Sequence, residues 1–93
     1  MLSLHQVAIL SAARTFSKRD EIAEFAVQLV GAADKDFKPS FASARIGDLI
    51  SMNLLYNMEN QVLMTPRGAR LLDESLLALD RCMAAGKRVL RAA

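Results

Sequence analysis

The sequence predicts a mainly α-helical domain that contains one small β-hairpin. The chain has 93 residues, of which 53% are hydrophobic and 24% charged, a composition that suits one folded domain and excludes a disordered chain. Three segments with the spacing of amphipathic helices come first, and two short segments with alternating apolar residues follow them. A Thr-Pro pair then opens a last helical segment.

The first helix is predicted at about 4–15. Ser3 and Gln6 have the spacing of a capping box, in which two side chains bond to free backbone N–H groups at a helix start. The residues that this helix is expected to bury are Val7, Ala8, Ile9 and Leu10.

The second helix is predicted at about 18–31, because Ser17 and Asp20 repeat the capping spacing. Gly31 suits a helix end, and 32–38 has the composition of a polar loop. Five apolar residues of this helix form one stripe with helical spacing, namely Ile22, Phe25, Ala26, Leu29 and Val30.

The third helix is predicted at about 40–52. Pro39 fits a first helical turn, and Ser40 is a residue type that caps helices. Asn53 is expected to end the helix, because asparagine tolerates the left-handed backbone conformation found there. The apolar residues of this helix are Phe41, Ala42, Ile46, Leu49 and Ile50.

A hairpin is predicted at 54–65, with Glu59 and Asn60 as its turn. The alternating apolar residues of its two strands are Tyr56, Met58, Val62 and Met64.

The last helix is predicted from Pro66 to about Arg91, with Thr65 as its cap and Pro66 in its first turn. Roughly 26 residues at ~1.5 Å each give a rod of about 39 Å, which is longer than a domain of this size can cover. One apolar seam can pack on the same chain and a second would then pair two chains as a homodimer. The first seam contains Leu72, Leu76, Leu79, Met83, Gly86 and Leu90, and the second contains Leu71, Ala78, Cys82, Ala85 and Val89. Which seam forms the dimer stays open, and the predicted interface residues are Leu72, Leu76, Leu79, Met83 and Leu90.

The order of these elements resembles that of the winged helix, a variant of the DNA-binding helix-turn-helix. The segment Leu63-Met64-Thr65-Pro66-Arg67-Gly68 is similar to the Leu-Thr-Pro-Lys-Gly signature that follows the wing in bacterial repressors of the MarR and PadR families. The segment 42–49, followed by Asn53-Leu54-Leu55, is similar to their recognition helix and its exit into the wing. The resemblance implies a winged-helix part at 1–65 and a dimerisation helix at 66–93 within one domain.

The resemblance also implies a homodimeric transcriptional regulator, a repressor in the manner of those families, that binds double-stranded DNA. Phosphate contacts would supply most of the affinity, so cationic and small polar residues near two helix starts and after the wing are the candidates. The predicted DNA-binding residues are Lys18, Arg19, Lys38, Ser40, Ser43, Arg45, Arg67 and Arg70.

A second interpretation is a winged helix that contacts another protein and does not bind DNA itself. Asp48 in the third helix, Glu59 at the hairpin tip and a net charge of only +2 favour this alternative. A face of mixed charge along the third helix and the hairpin would also favour it.

No pattern of residues indicates an enzyme, a metal site or a cofactor. The carboxylates form no acid/base constellation and the glycines form no phosphate-binding loop. His5 has no second ligand one helical turn away, and Cys82 is the single cysteine, so neither an internal disulfide nor a zinc site is expected. Because no apolar run approaches ~18 residues and a basic secretory segment is missing, a cytoplasmic location is expected.

Overall fold

The structure, a computed structural model, describes residues 2–78. Its elements are α1 Leu4–Thr15, α2 Arg19–Val30, a 3-10 turn Gly31–Ala33, α3 Pro39–Ser51, β1 Leu55–Met58, β2 Gln61–Met64 and a fourth helix at 66–78, here α4. The prediction of a mainly helical domain with one small antiparallel hairpin is confirmed. The predicted interface residues Leu79, Met83 and Leu90 lie outside the described residues.

The helix caps agree with the sequence at α1 and α4 and differ at α2 and α3. Ser3 and Gln6 form the predicted capping box at the start of α1. The predicted serine caps of α2 and α3 are wrong, because Lys18 and Lys38 occupy the two N-cap positions. The Ser17 carbonyl instead accepts a hydrogen bond of 2.7 Å from the Val62 amide, which holds Ser17 in the link before α2.

The end of α3 is the one that the sequence predicts. Asn53 has a left-handed backbone with φ of 66°. Its amide donates to the Ile50 carbonyl at 3.0 Å, and the Leu54 amide donates to the Leu49 carbonyl at 3.0 Å. These two bonds form a Schellman motif, which satisfies the last carbonyls of the helix and directs the chain into β1.

The hairpin has the predicted antiparallel pairing, from Leu55 opposite Met64 to Met58 opposite Gln61, with a positive φ of 56° at Glu59 in its turn. Leu55 and Val62 are buried, whereas Tyr56 and Met58 are exposed. The inner face of the hairpin therefore contains Leu55 and Val62, whereas Tyr56 and Met58 of β1 face solvent.

Thr65 and Gly68 fix the start of α4 against the end of α3. The Thr65 hydroxyl donates to the Asn53 carbonyl at 2.7 Å and accepts from the Gly68 amide at 3.0 Å. A Cβ atom at Gly68 would lie 2.1 Å from the Leu54 carbonyl oxygen, so only glycine fits there. The Thr-Pro-Arg-Gly segment is therefore a structural joint between the hairpin and α4.

One core joins all four helices and the hairpin. Its largest fully buried side chains are Ile9, Leu10, Ile22, Ile46, Leu49, Leu54, Leu55 and Leu72. Phe37 is also buried, although the sequence places it in a polar loop, and Leu29 and Phe41 are 49% and 47% exposed, although the sequence places them on apolar stripes. Phe37 takes a place in the core beside α1 and α3, and Phe41 packs on its outer side.

Leu72 corrects one part of the predicted dimer interface. Its side chain has no exposed surface, so it packs inside its own subunit and cannot contact a second one. Leu76, one turn later, is 38% exposed. Within residues 2–78, no helix is both long and apolar enough to cross a membrane.

Candidate nucleic-acid interface

The starts of α2 and α3 form the surface on which most of the predicted DNA-binding residues lie, here called the α2–α3 corner (Lys18, Arg19, Lys38, Ser40 and Ser43). Both N-cap residues are lysines, and neither helix start has a side-chain capping bond. The first turn of α3 also contains no acidic residue. Backbone N–H groups without a capping side chain attract anions, and the helix dipole adds to the attraction.

Arg19 links α2 to α3 through Ser43. Its Nε donates to the Ser43 hydroxyl oxygen at 2.9 Å, and its Nη2 donates to the Ser43 carbonyl oxygen at 2.7 Å. The guanidinium lies beside Gly47, where a Cβ atom would be 3.6 Å from Nη2. No carboxylate among residues 2–78 pairs with Arg19, so a neutral residue holds its charge in place.

Two carboxylates lie at the same corner. Asp20 and Glu24 line a groove of about 250 Å³ together with Pro39, Ser40 and Ser43. Their negative charges lie close to the uncapped start of α3 and oppose the attraction of a phosphate. The corner therefore carries charges of both signs.

Arg45 lies one turn beyond Phe41 on the surface here called the α3 outer face (Phe41, Ala44, Arg45 and Asp48). Its Nη1 donates to an Asp48 carboxylate oxygen at 2.8 Å, and its guanidinium carbon lies 4.8 Å from the centre of the Phe41 ring. The Arg45 and Asp48 side chains are 45% and 57% exposed, so the pair is a surface ion pair. In the described part of the chain, the Nε and Nη2 atoms of Arg45 have no protein partner.

A series of aromatic contacts supports the α3 outer face from behind. The Phe41 ring meets the Phe37 ring edge-on, with centroids 6.1 Å apart, and Phe37 stacks on the His5 imidazole at 4.3 Å. His5 Nε2 lies 2.9 Å from an Asp34 carboxylate oxygen. Through these contacts the half-buried His5 holds the link before α3 in place.

The predicted site residues divide into three groups. Ser40 and Ser43 line the groove, and Arg19 bonds to Ser43. Lys18 and Lys38 lie at the two helix starts. Arg45 belongs to the neighbouring outer face of α3. The third group is the pair Arg67 and Arg70, which are exposed on α4 and make no described hydrogen bond or ion pair to α2 or α3.

Sequence reasoning missed the parts that Phe41 and Asp48 take in the site. From the sequence, Phe41 is expected among the apolar residues of the third helix, and Asp48 only favours the protein-contacting alternative. The signal was present in their spacing, because residues four and three positions apart on a helix are neighbours. Phe41 and Arg45 are four apart, and Arg45 and Asp48 are three apart.

No group of three or more His, Cys, Asp or Glu residues that could hold a metal ion occurs among residues 2–78. The chain matches no known protein family, no curated protein and no solved structure.

Proposed function

We propose that the protein is a winged-helix transcriptional regulator, acting as a repressor, that binds double-stranded DNA as a homodimer. The order of three helices, a hairpin and a fourth helix supports this proposal, since it is the order of a winged helix with the hairpin as the wing. In such a domain α2 and α3 form the helix-turn-helix, and α3 enters the major groove.

The α2–α3 corner is the observation that carries the proposal. Among residues 2–78, Ser43 is the one residue that accepts hydrogen bonds from the Arg19 guanidinium, which leaves its Nη1 group for a further acceptor. The start of α3 adds Lys38 and the uncapped amides of its first turn. Cations and backbone amides at helix starts are the groups that bind DNA phosphates and set the register of a helix in the groove.

The surface of α3 beside this corner is built from small residues. Ser40, Ala44 and Gly47 recur at helical spacing, and Ser40 and Ala44 are exposed. Because their side chains are short, the backbone of α3 can approach the floor of a groove closely. The longer Phe41, Arg45 and Asp48 side chains flank this strip.

Pairing through α4 would make the homodimer. Leu76 and Leu77 are 38% and 51% exposed at the end of the described helix. A second subunit would cover them and hold two α3 helices about 34 Å apart, one turn of DNA, or a multiple of that spacing. Sedimentation at micromolar concentration is expected to give a dimer, and a pure monomer would rule this assembly out.

A second candidate function is a winged helix that contacts another protein. The carboxylates of Asp20 and Glu24 at the corner, Glu59 at the hairpin tip and the exposed Met58 favour this candidate. Such a protein would not bind a duplex even at low salt, because its acidic groups would repel phosphates.

Duplex binding at several salt concentrations tests the proposed function. The affinity is expected to fall with salt, with a log–log slope of about 0.9 for each phosphate contact. Lys38→Ala removes a cation at the start of α3 and is expected to weaken binding about threefold to tenfold and to reduce the slope by about 1. Lys35→Ala is the matched control, since Lys35 is also exposed but lies in the preceding turn.

Two results would contradict the proposal. The first is the absence of duplex binding at low salt, which would favour the protein-contacting alternative. The second is an equal loss of affinity in Lys38→Ala and Lys35→Ala, which would mean that the start of α3 is not the contact.

A further inference from the structure

We propose that the α3 outer face selects a guanine through Arg45 and the methyl group of a nearby thymine through Phe41. The inference rests on the proposed DNA-binding function and names the bases that this function would recognise. It follows from which hydrogen-bond donors of Arg45 are already bound to another described residue.

The guanidinium of Arg45 is held on two sides. Asp48 binds Nη1 at 2.8 Å, and the Phe41 ring supports the planar group at 4.8 Å. The Nε–H group and one N–H of Nη2 form the opposite edge of the guanidinium, and no described residue binds that edge. Two parallel donors on one edge match two acceptors side by side, and guanine presents O6 and N7 in this way in the major groove.

Asp48 acts as a positioning residue in this arrangement. By binding Nη1 it restricts the orientations of the Arg45 guanidinium, and a side chain that is already oriented loses less conformational entropy when it binds. Asp48 also repels phosphates, so Arg45 suits a base edge better than the DNA backbone.

Phe41 supplies the second contact. Its side chain is 47% exposed, one face supports Arg45, and its edge meets the buried Phe37. The remaining exposed surface of the ring is apolar. The only apolar group that a base pair presents in the major groove is the thymine methyl, which phenylalanine side chains contact in protein–DNA complexes.

The test begins with selection of preferred sites from a pool of random duplexes by the unmodified protein. The selected sites are expected to share a guanine and a thymine at a fixed short separation. Sites with no shared base would overturn this inference and leave the proposed function intact.

Modified bases then identify the atoms. Replacing the shared guanine by 7-deazaguanine removes N7 and is expected to weaken binding about fivefold to tenfold. Replacing the shared thymine by deoxyuridine removes one methyl group and is expected to weaken binding about fourfold. Both measurements use the unmodified protein, so they do not depend on the folding of any variant.

Variants assign each atom to its residue. Arg45→Ala should be indifferent to 7-deazaguanine while it keeps the response to deoxyuridine, and Phe41→Ala should lose the response to deoxyuridine. Asp48→Asn should reduce the discrimination by Arg45 against other bases without abolishing it. Equal responses to both modified bases in the unmodified protein and in all variants would overturn the inference, and complete absence of duplex binding would overturn the proposed function together with it.

Discussion

Two arginines near α3 use the same edge of their guanidinium groups in opposite ways. Arg19 directs Nε and Nη2 inward to the two oxygens of Ser43, which joins α2 to α3. Arg45 directs Nη1 to Asp48, and its Nε and Nη2 have no partner in the described residues. The pattern of donors therefore indicates that Arg19 mainly fixes the geometry of the corner, whereas Arg45 is available for a ligand.

The largest expected effect is on the free energy of unfolding, in a variant that leaves both arginines unchanged. This variant shows how the protein behaves when it loses function because it unfolds. In Gly68→Ala the new Cβ would overlap the Leu54 carbonyl oxygen, which would be only 2.1 Å away. We expect the free energy of unfolding to fall by about 3 kcal/mol, measured by urea denaturation.

Gly47→Ala is the control for this variant. In the described part of the chain, a Cβ atom there meets only Arg19 Nη2 at 3.6 Å. We therefore expect no loss of stability and a gain of up to about 1 kcal/mol from the higher helix propensity of alanine. A Gly68→Ala protein as stable as the parent would show that α4 does not pack against the end of α3 as described.

The next largest effect is expected at Arg19. Arg19→Ala removes two hydrogen bonds from a charged donor to Ser43 and should lower the free energy of unfolding by about 2 kcal/mol. Arg19→Lys keeps the charge but cannot bond to both oxygens at once, so it should restore little of this stability. Arg67→Ala, at an exposed arginine, provides the baseline, and an Arg19→Ala change no larger than that baseline would remove the structural part assigned to Arg19.

Arg45→Ala should show the reverse pattern. Its ion pair with Asp48 and its contact with Phe41 are both exposed, so the free energy of unfolding should change by less than about 1 kcal/mol. The affinity for a selected duplex, measured by fluorescence anisotropy, should fall about tenfold or more. If Arg45→Ala lowers both the affinity and the free energy of unfolding, as expected for Gly68→Ala, then Arg45 does not differ from Arg19 in the way described.

The smallest effect is expected from Glu24. Glu24→Gln removes a negative charge from the groove beside Ser40 and Ser43, so the affinity for a duplex should rise about twofold to threefold at low salt. The gain should disappear at high salt, where charges are screened. Glu21→Gln is the control, since Glu21 lies near Glu24, Phe16 and Phe25 but does not line the groove beside Ser40 and Ser43. An equal gain there would show a general effect of net charge.

The sequence predicts those parts of the fold that depend on neighbouring residues. The capping box at Ser3, the left-handed Asn53 and the start of α4 at Thr65 each depend on contacts within a few positions, except for the bond from Thr65 to Asn53. The sequence predicts Ser17 as the cap of α2, whereas the cap is Lys18, the next residue. The Ser17 carbonyl is instead bound by the amide of Val62, which is 45 positions away. A contact at that distance leaves no local pattern.

The site shows the same limit. The spacing of Phe41, Arg45 and Asp48 is visible in the sequence, but which edge of the guanidinium stays open is not. The bond between Arg19 and Ser43 joins residues 24 positions apart and depends on how α2 crosses α3. Whether Phe37 or Phe41 fills the core also depends on that packing, since both are apolar residues near the start of α3.

Titration of the ¹⁵N-labelled protein with a duplex, followed by NMR, tests the location of the interface most directly. The largest shifts are expected at the backbone amides of 38–48 and at the side-chain Nε–H signals of Arg45, with little change along 21–33. Shifts confined to α4, or no shifts at low salt, would contradict the assignment of the α2–α3 corner and the α3 outer face as a DNA-binding surface.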